Sequence, residues 1–353
     1  MNKTLTRITK RRLFMPILCL CIVLLLNMIK TPDFFTISLR GGVLYGYIID
    51  VINRASELVI LAVGMTLCIS SSAGVDISVG AIMAVAAAVC CSILAGGQVS
   101  VTAYQNPIIF AILASLVVAL LCGAFNGFLV AHLKIQPMVA TLILFTAGRG
   151  IAQLITNGQI TYVRVDSYKL LGSNISGIPL PTSIFLAIVV IIIAQLILTK
   201  TSLGMYIEAV GINAKASRLV GLKSNRIIFL TYLISGLCAG IAGLIMSSRI
   251  YSADANNIGL LMELDAILAV ALGGNSLSGG KFSITGSVIG AYTIQALTTT
   301  LYAMGVSADQ IPVFKAIVVV LIVSLQSEKV IAWMSQFQQH RNIHKPMKME
   351  IQG

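Results

Sequence analysis

Six ionisable residues stand inside or at the edges of long apolar runs: Glu57, Asp76, Arg149, Glu263, Asp265 and Lys315. A charge in hydrocarbon is costly, and it is retained where it lines a pathway, meets an opposite charge or relays a proton. Asp76 follows the Ser/Gly break in SSSAGVDIS, where a carboxylate can also cap a helix. Arg149, in FTAGRGIAQ, can pair with an acid or face water. Glu57, Glu263, Asp265 and Lys315 lie near enough to run ends for their side chains to reach an interface. No acid stands at the middle of an apolar run, as a proton relay prefers. Asp76, Asn126, Arg149, Asp265 and Asn275 are therefore candidate pathway or gate positions, with packing or capping as the alternative for each.

Other chemistry is excluded motif by motif. A phosphate-binding loop requires G-x-x-x-x-G-K-[ST]. NSLSGGKF comes nearest, but Asn275 replaces the first glycine and Phe282 the hydroxyl residue. LSGG at 277–280 matches the signature string of cassette ATPases, which works only beside a phosphate loop that this chain lacks. His132, His340 and His344 form no metal-ligand set, so no metal site is expected. The seven cysteines all lie in apolar runs, without zinc or disulfide spacing, and read as small packing residues. No paired acids at catalytic spacing and no nucleophile elbow occur.

Composition places these residues in a membrane. Apolar residues make up 57% of the chain and charged residues only 10%, against about 25% charged in soluble domains. A formal charge of +12 could suggest nucleic acid, but the basic residues cluster at run ends and tails, which points to the lipid bilayer instead. Residues 1–12 form a basic arm, 13–326 the transmembrane region and 327–353 a basic tail. The first apolar run, 13–29, has no small-residue cleavage site after it and reads as an uncleaved span. Further spans are predicted near 55–70, 79–95, 108–131, 138–156, 182–199, 227–247, 264–273, 284–304 and 311–326. Several are short for a span of about 20 residues, and 264–273 is half that, which suggests discontinuous helices beside a pathway. With both termini cytoplasmic and ten crossings, sixteen of the 24 Lys/Arg fall inside and six outside. The expected fold is therefore an all-α polytopic membrane protein with about ten transmembrane helices.

One loop stands apart. Residues 200–226 separate two apolar runs and hold Lys200, Lys215, Arg218, Lys223 and Arg226 against the single acid Glu208. Gly204, Gly211 and Gly221 punctuate a stretch whose residues 212–220 can form about two helical turns. Such a helix on the cytoplasmic face can dock a soluble partner, or it can be an ordinary connection. Within the spans, G-x-x-x-G pairs at Gly123/Gly127, Gly236/Gly240 and Gly286/Gly290 predict close packing of helices inside one chain. Residues 61–83 and 268–292 resemble each other: an apolar half, a Ser/Gly break, then Ser-Val and Gly-Ala. This is either an internal repeat of the transporter kind or chance similarity between Gly/Ala/Val-rich segments.

Several stretches in order resemble one family, the permease subunits of bacterial sugar ABC importers of the ribose and galactofuranose group. They are AVGMTLCISSSAGVDISVGA, QPMVATLILFTAGRGIAQLITNGQ, EAVGINAKASRLVGL, YLISGLCAGIAGLI and ELDAILAVALGGNSLSGGKF. The outer segment SLRGGVLYGYIIDVINRA and the run ADANNIGLLMELDAILAV look closest to a galactofuranose-type permease. One departure is Ser72-Ala73-Gly74 where the family usually has Gly-Gly before I-D-L-S-V-G. The resemblance implies a multi-pass protein of the bacterial cytoplasmic (inner) membrane, not itself an enzyme. It implies a second permease subunit, the same chain or a homologue, two ABC ATPase subunits inside and an extracytoplasmic sugar-binding protein outside. No cofactor is then expected on this chain, because ATP binds the partner ATPase. Gly204, Glu208, Gly211, Asn213, Ala216 and Gly221 match the family's G-x-x-x-x-A-x-G-x-N-x-x-A pattern and its following glycine, which makes 200–226 the ATPase-coupling loop. Two rivals are an ion-coupled secondary transporter and a membrane-embedded lipid-linked transferase; the second needs acids or a metal motif not found.

Overall fold

A computed structural model describes residues 13–40, 42–174 and 178–326. The predicted basic arm and basic tail lie outside the described residues. Ten helices occupy the positions of the expected spans: α1 Phe14–Lys30, α2 Tyr47–Ser72, α3 Val79–Ala95, α4 Ile108–Ala131, α5 Pro137–Ile155, α7 Thr182–Lys200, α10 Ser224–Ile250, α11 Met262–Leu272, α12 Ile284–Ala303 and α13 Ile311–Gln326. Three more, α6 Asp166–Lys169, α8 Leu203–Ile212 and α9 Ala214–Leu219, belong to the connections. The chain is an all-α polytopic membrane protein. Among the described residues, five helices, α2, α4, α5, α7 and α10, are long and apolar enough to cross a membrane. With 11 residues, α11 is about 16 Å long, half of a hydrocarbon core.

Burial sorts the long helices into centre and rim. In the most apolar window of α2, 94% of residues are buried, against 22% in α4 and 17% in α7. A helix apolar all round is stable only where other helices enclose it. The outer helices solve the problem by dividing their faces. Leu113, Val117, Leu121, Phe125 and Phe128 of α4 are exposed, while Ala111, Ser115, Ala119, Gly123 and Gly127 are buried. The buried stripe meets α10 with almost no intervening side chain. A Cβ on Gly123 would lie 2.6 Å from the Tyr232 carbonyl oxygen, and one on Gly236 the same distance from that of Ala119. The first two glycine pairs thus pack against each other inside one chain. The third serves the hairpin of α11 and α12, where Gly286 closes on Gly273 and Gly290 on Ala269.

Two elements differ from expectation. Helix α2 begins two turns before residue 55, where the span was expected to start, so Asp50, Asn53 and Arg54 belong to it. Their polarity follows from the open polar surface at that end. The loop 200–226 holds two helices where one was expected over 212–220, because the chain turns at Asn213, with φ −157° and ψ 98°. Gly204 and Gly211 are helical and serve close packing; only Gly221, with φ +90°, makes a glycine turn. Short strands close the opposite end: β1 Ser38–Arg40 pairs antiparallel with β2 Val43–Tyr45. There also β4 Thr161–Val163 pairs in parallel with β3 Ser100–Val101 and antiparallel with β5 Ser252–Ala253.

Candidate functional site

The two resembling stretches share an architecture. Each is a helix, a break and a second helix: α2 to α3 across 73–78, and α11 to α12 across 273–283. The breaks are held by polar side chains. Asn275 is 9% exposed; its Oδ1 accepts from the Ser283 backbone N–H at 2.6 Å and its Nδ2 donates to Ser287 Oγ at 2.8 Å. Ser287 in turn meets Thr66 of α2 at 2.6 Å, which joins the two units. The Gly280 N–H donates to the Ser70 carbonyl at 2.9 Å, a second junction between the last turn of α2 and the break after α11.

Helix α8 lies on this junction. Gly211 faces the Ser70 carbonyl and the Gly280 N–H so closely that any side chain would overlap both. The Asn213 side chain accepts from the N–H groups of Lys215 and Ala216, both at 3.0 Å, and so starts α9. Ala216 is exposed on α9. Gly204 packs against the Leu198 carbonyl, and Glu208 borders a small cavity with Ser283 and Thr285 at the start of α12. Asn225 Oδ1 accepts from Lys134 at 2.6 Å and from Arg218 at 2.9 Å, which ties the α4–α5 turn to α9. Partial burial, with Arg218 nearby, lowers the Lys134 pKa. Met205, Ile212, Leu219 and Val220 are exposed, Leu219 by 90%. The element thus combines a close seat on the last turn of α2 and the break after α11 with an exposed apolar and basic outer face.

The candidate pathway residues do not form one cluster. Asp76 and Asn126 are brought together: Asn126 Nδ2 donates to Ser78 Oγ at 2.7 Å, and Ser78 Oγ donates to Asp76 Oδ1 at 2.6 Å. The Ser78 N–H also donates to that oxygen, and Ser235 of α10 donates to Oδ2 at 3.0 Å. Asp76 thus latches the break between α2 and α3, two residues ahead of the usual cap position. Arg149 lies elsewhere and donates to the carbonyls of Ala255 at 3.0 Å and Ile258 at 2.5 Å. It holds the turn that leads into α11 and makes no ion pair among the described residues. Asp265 accepts two bonds from Lys315 of α13, at 2.9 and 2.7 Å. The sequence reading missed the partner of Glu57. Arg249 lies beyond the span expected over 227–247, yet it belongs to the last turn of α10 and meets Glu57 Oε1 at 2.7 Å. The available signal was the unpaired acid itself, one of the few inside an apolar run.

This arrangement of broken helices, small-residue packing and latched polar breaks is that of a membrane transport protein. A family profile described as "Branched-chain amino acid transport system / permease component" matches residues 47–325. The galactofuranose transporter permease protein YtfT of Escherichia coli K12 is 44% identical over 93% of this chain and 94% of its own length. The fructose import permease protein FruF of Bifidobacterium longum is 37% identical, over 93% and 91%. The ribose import permease protein RbsC of Escherichia coli K12 is 35% identical, over 88% and 92%. No solved structure matches. The chain belongs to this family of transport-system permeases.

Proposed function

We propose that the chain is the transmembrane permease subunit of an ATP-binding cassette importer for a monosaccharide, with galactofuranose as the first candidate. The observation that carries this reading is similarity to three sugar permeases along nine-tenths of the chain. It sits in the bacterial cytoplasmic membrane with both termini inside, as the distribution of Lys and Arg supports. The basic arm 1–12 and tail 327–353 then flank a permease domain over 13–326. ATP is bound by separate ATPase subunits, a sugar-binding protein docks outside, and a second permease copy or homologue completes the pathway.

Residues 200–226 are the coupling element in this reading. The apolar and basic outer face of α8 and α9 meets the ATPase, and Gly211 carries its movement to both helix breaks through Ser70 and Gly280. Alternating access requires two states that ATP and sugar stabilise differently. Asp76, Asn126 and Asn275 are latches that must hold or release in one of those states. Arg149 and Asp265 set the position of α11 at the other end.

Copurification tests this reading. The chain is expressed with an ABC ATPase encoded beside it and extracted gently. The ATPase is expected to follow the unsubstituted chain and to be lost from Gly211→Trp. An ATPase retained by the variant would move the coupling site, and a chain that never binds one would contradict the reading.

A further inference from the structure

A cavity of about 640 Å³ opens between the first turns of α2 and α11 and the last turns of α10 and α12, at the end away from α8. That volume falls within the about 300–1,000 Å³ of small-molecule sites. Glu57 lies on its wall and is 3% exposed. Oε1 pairs with Arg249 at 2.7 Å, yet both carboxylate oxygens are buried without a hydrogen-bond donor among the described residues, and Oε2 has no ion pair either. Arg249 cannot turn to serve it. Its NH2 group already donates to Asn53 Oδ1 at 2.9 Å, and its Nε to the Gly172 carbonyl at 3.4 Å. A buried carboxylate oxygen without a donor is unfavourable, and the cavity that Glu57 borders is where a donor can enter.

The rest of the wall defines the class of that donor. Asp50, Glu57 and Asp265 are balanced by Arg54, Arg249 and, through its bonds to Asp265, Lys315. A wall of balanced charge favours a neutral ligand over an ion. Gln295 and Thr299 add an amide and a hydroxyl that both donate and accept. Tyr47 and Tyr302 supply aromatic faces to the same cavity. A ring carrying hydroxyls at its edge and C–H groups on its faces matches this set.

We propose that the cavity binds the transported monosaccharide, with Glu57 Oε2 accepting from a sugar hydroxyl and with Gln295 and Thr299 as further partners. The proposal rests on the sugar-import reading and adds to it a site within this chain. Protection of a thiol tests it. In purified full-length Thr298→Cys chain, labelling of that position by a thiol reagent is followed peptide by peptide, with D-galactose, D-fructose or D-ribose added. At least one sugar is expected to slow labelling. The same protection should need about tenfold more sugar after Glu57→Gln, the loss expected for one hydrogen bond to a charged group. Gln295 carries no ion pair, so Gln295→Leu tests the site without disturbing Arg249; it too should raise the sugar required.

Absence of protection by all three sugars, or protection unchanged in both variants, would overturn the proposal. Loss in Glu57→Gln alone, with Gln295→Leu unchanged, would also overturn it and leave Glu57 a partner of Arg249 only. Uptake by the unsubstituted chain, reconstituted with its ATPase and binding protein, separates the two levels. Uptake without protection refutes the cavity alone, and absence of uptake of every sugar refutes the import reading together with it.

Discussion

The backbone carbonyl of Ser70 stands over the Cα of Gly211 so closely that a methyl group there would overlap it. Ser70 lies in the last turn of the enclosed helix α2, and Gly211 in the last turn of α8. Because backbone meets backbone, no side chain can move aside to absorb a substitution. Gly211→Ala is expected to lift α8 from its seat and to destabilise the chain by about 1–3 kcal/mol, the usual effect of overpacking. Thermal unfolding in detergent measures it. Gly221→Ala, in open space at φ +90°, should cost only about 1 kcal/mol.

The contact between α4 and α10 makes a sharper prediction. A Cβ on Gly236 would approach the Gly123 backbone to 2.8 Å as well as Ala119. Gly236→Val should force the helices apart and lower the melting temperature more than Gly211→Ala does. Gly150, which has nothing within 4 Å of a would-be Cβ, provides the control: Gly150→Ala should leave melting unchanged or raise it slightly.

Asp76 separates a role in charge from a role in hydrogen bonding. Asp76→Ala leaves the Ser78 N–H and the Ser78 and Ser235 hydroxyls without their acceptor, and should cost at least about 2 kcal/mol. Asp76→Asn keeps one carbonyl for Ser78, while the Ser235 hydroxyl can rotate to accept from the new amide. Its stability should stay within about 1 kcal/mol of the parent, by the same melting assay. Equal damage from both would show that the charge itself is required.

The pair Asp265 and Lys315 joins α11 to α13 with side chains 22% and 12% exposed. A double-mutant cycle of Asp265→Asn and Lys315→Gln should return a coupling of about 1 kcal/mol, since partial exposure screens the pair. Additive effects would mean that the contact is not made in the membrane.

Much of this was readable in the sequence because hydropathy runs translate directly into helices when lipid leaves no alternative. The run 79–95 is α3 residue for residue, and 108–131 is α4. The glycine pairs announced their intramolecular packing for a related reason: small residues at that spacing serve close backbone approach. Where polar groups meet water, periodicity loses its meaning. The start of α2 at Tyr47 is hidden behind Asp50, Asn53 and Arg54, which look like a loop; Asp50 and Arg54 line an open cavity, and Asn53 accepts from Arg249. The turn at Asn213 was missed because Gly211 looks like a turn residue and serves as a packing one. Pairings such as Glu57 with Arg249 join residues almost two hundred positions apart, and no local pattern encodes them.

The central claim is that this permease moves sugar with energy delivered through α8 and α9. The decisive measurement is uptake of labelled sugar into proteoliposomes holding the chain, its ATPase and its binding protein, with ionophores present. The account predicts uptake that requires ATP, persists without ion gradients and is lost in Gly211→Trp. Uptake by the chain alone, following an ion gradient and indifferent to ATP, would contradict it.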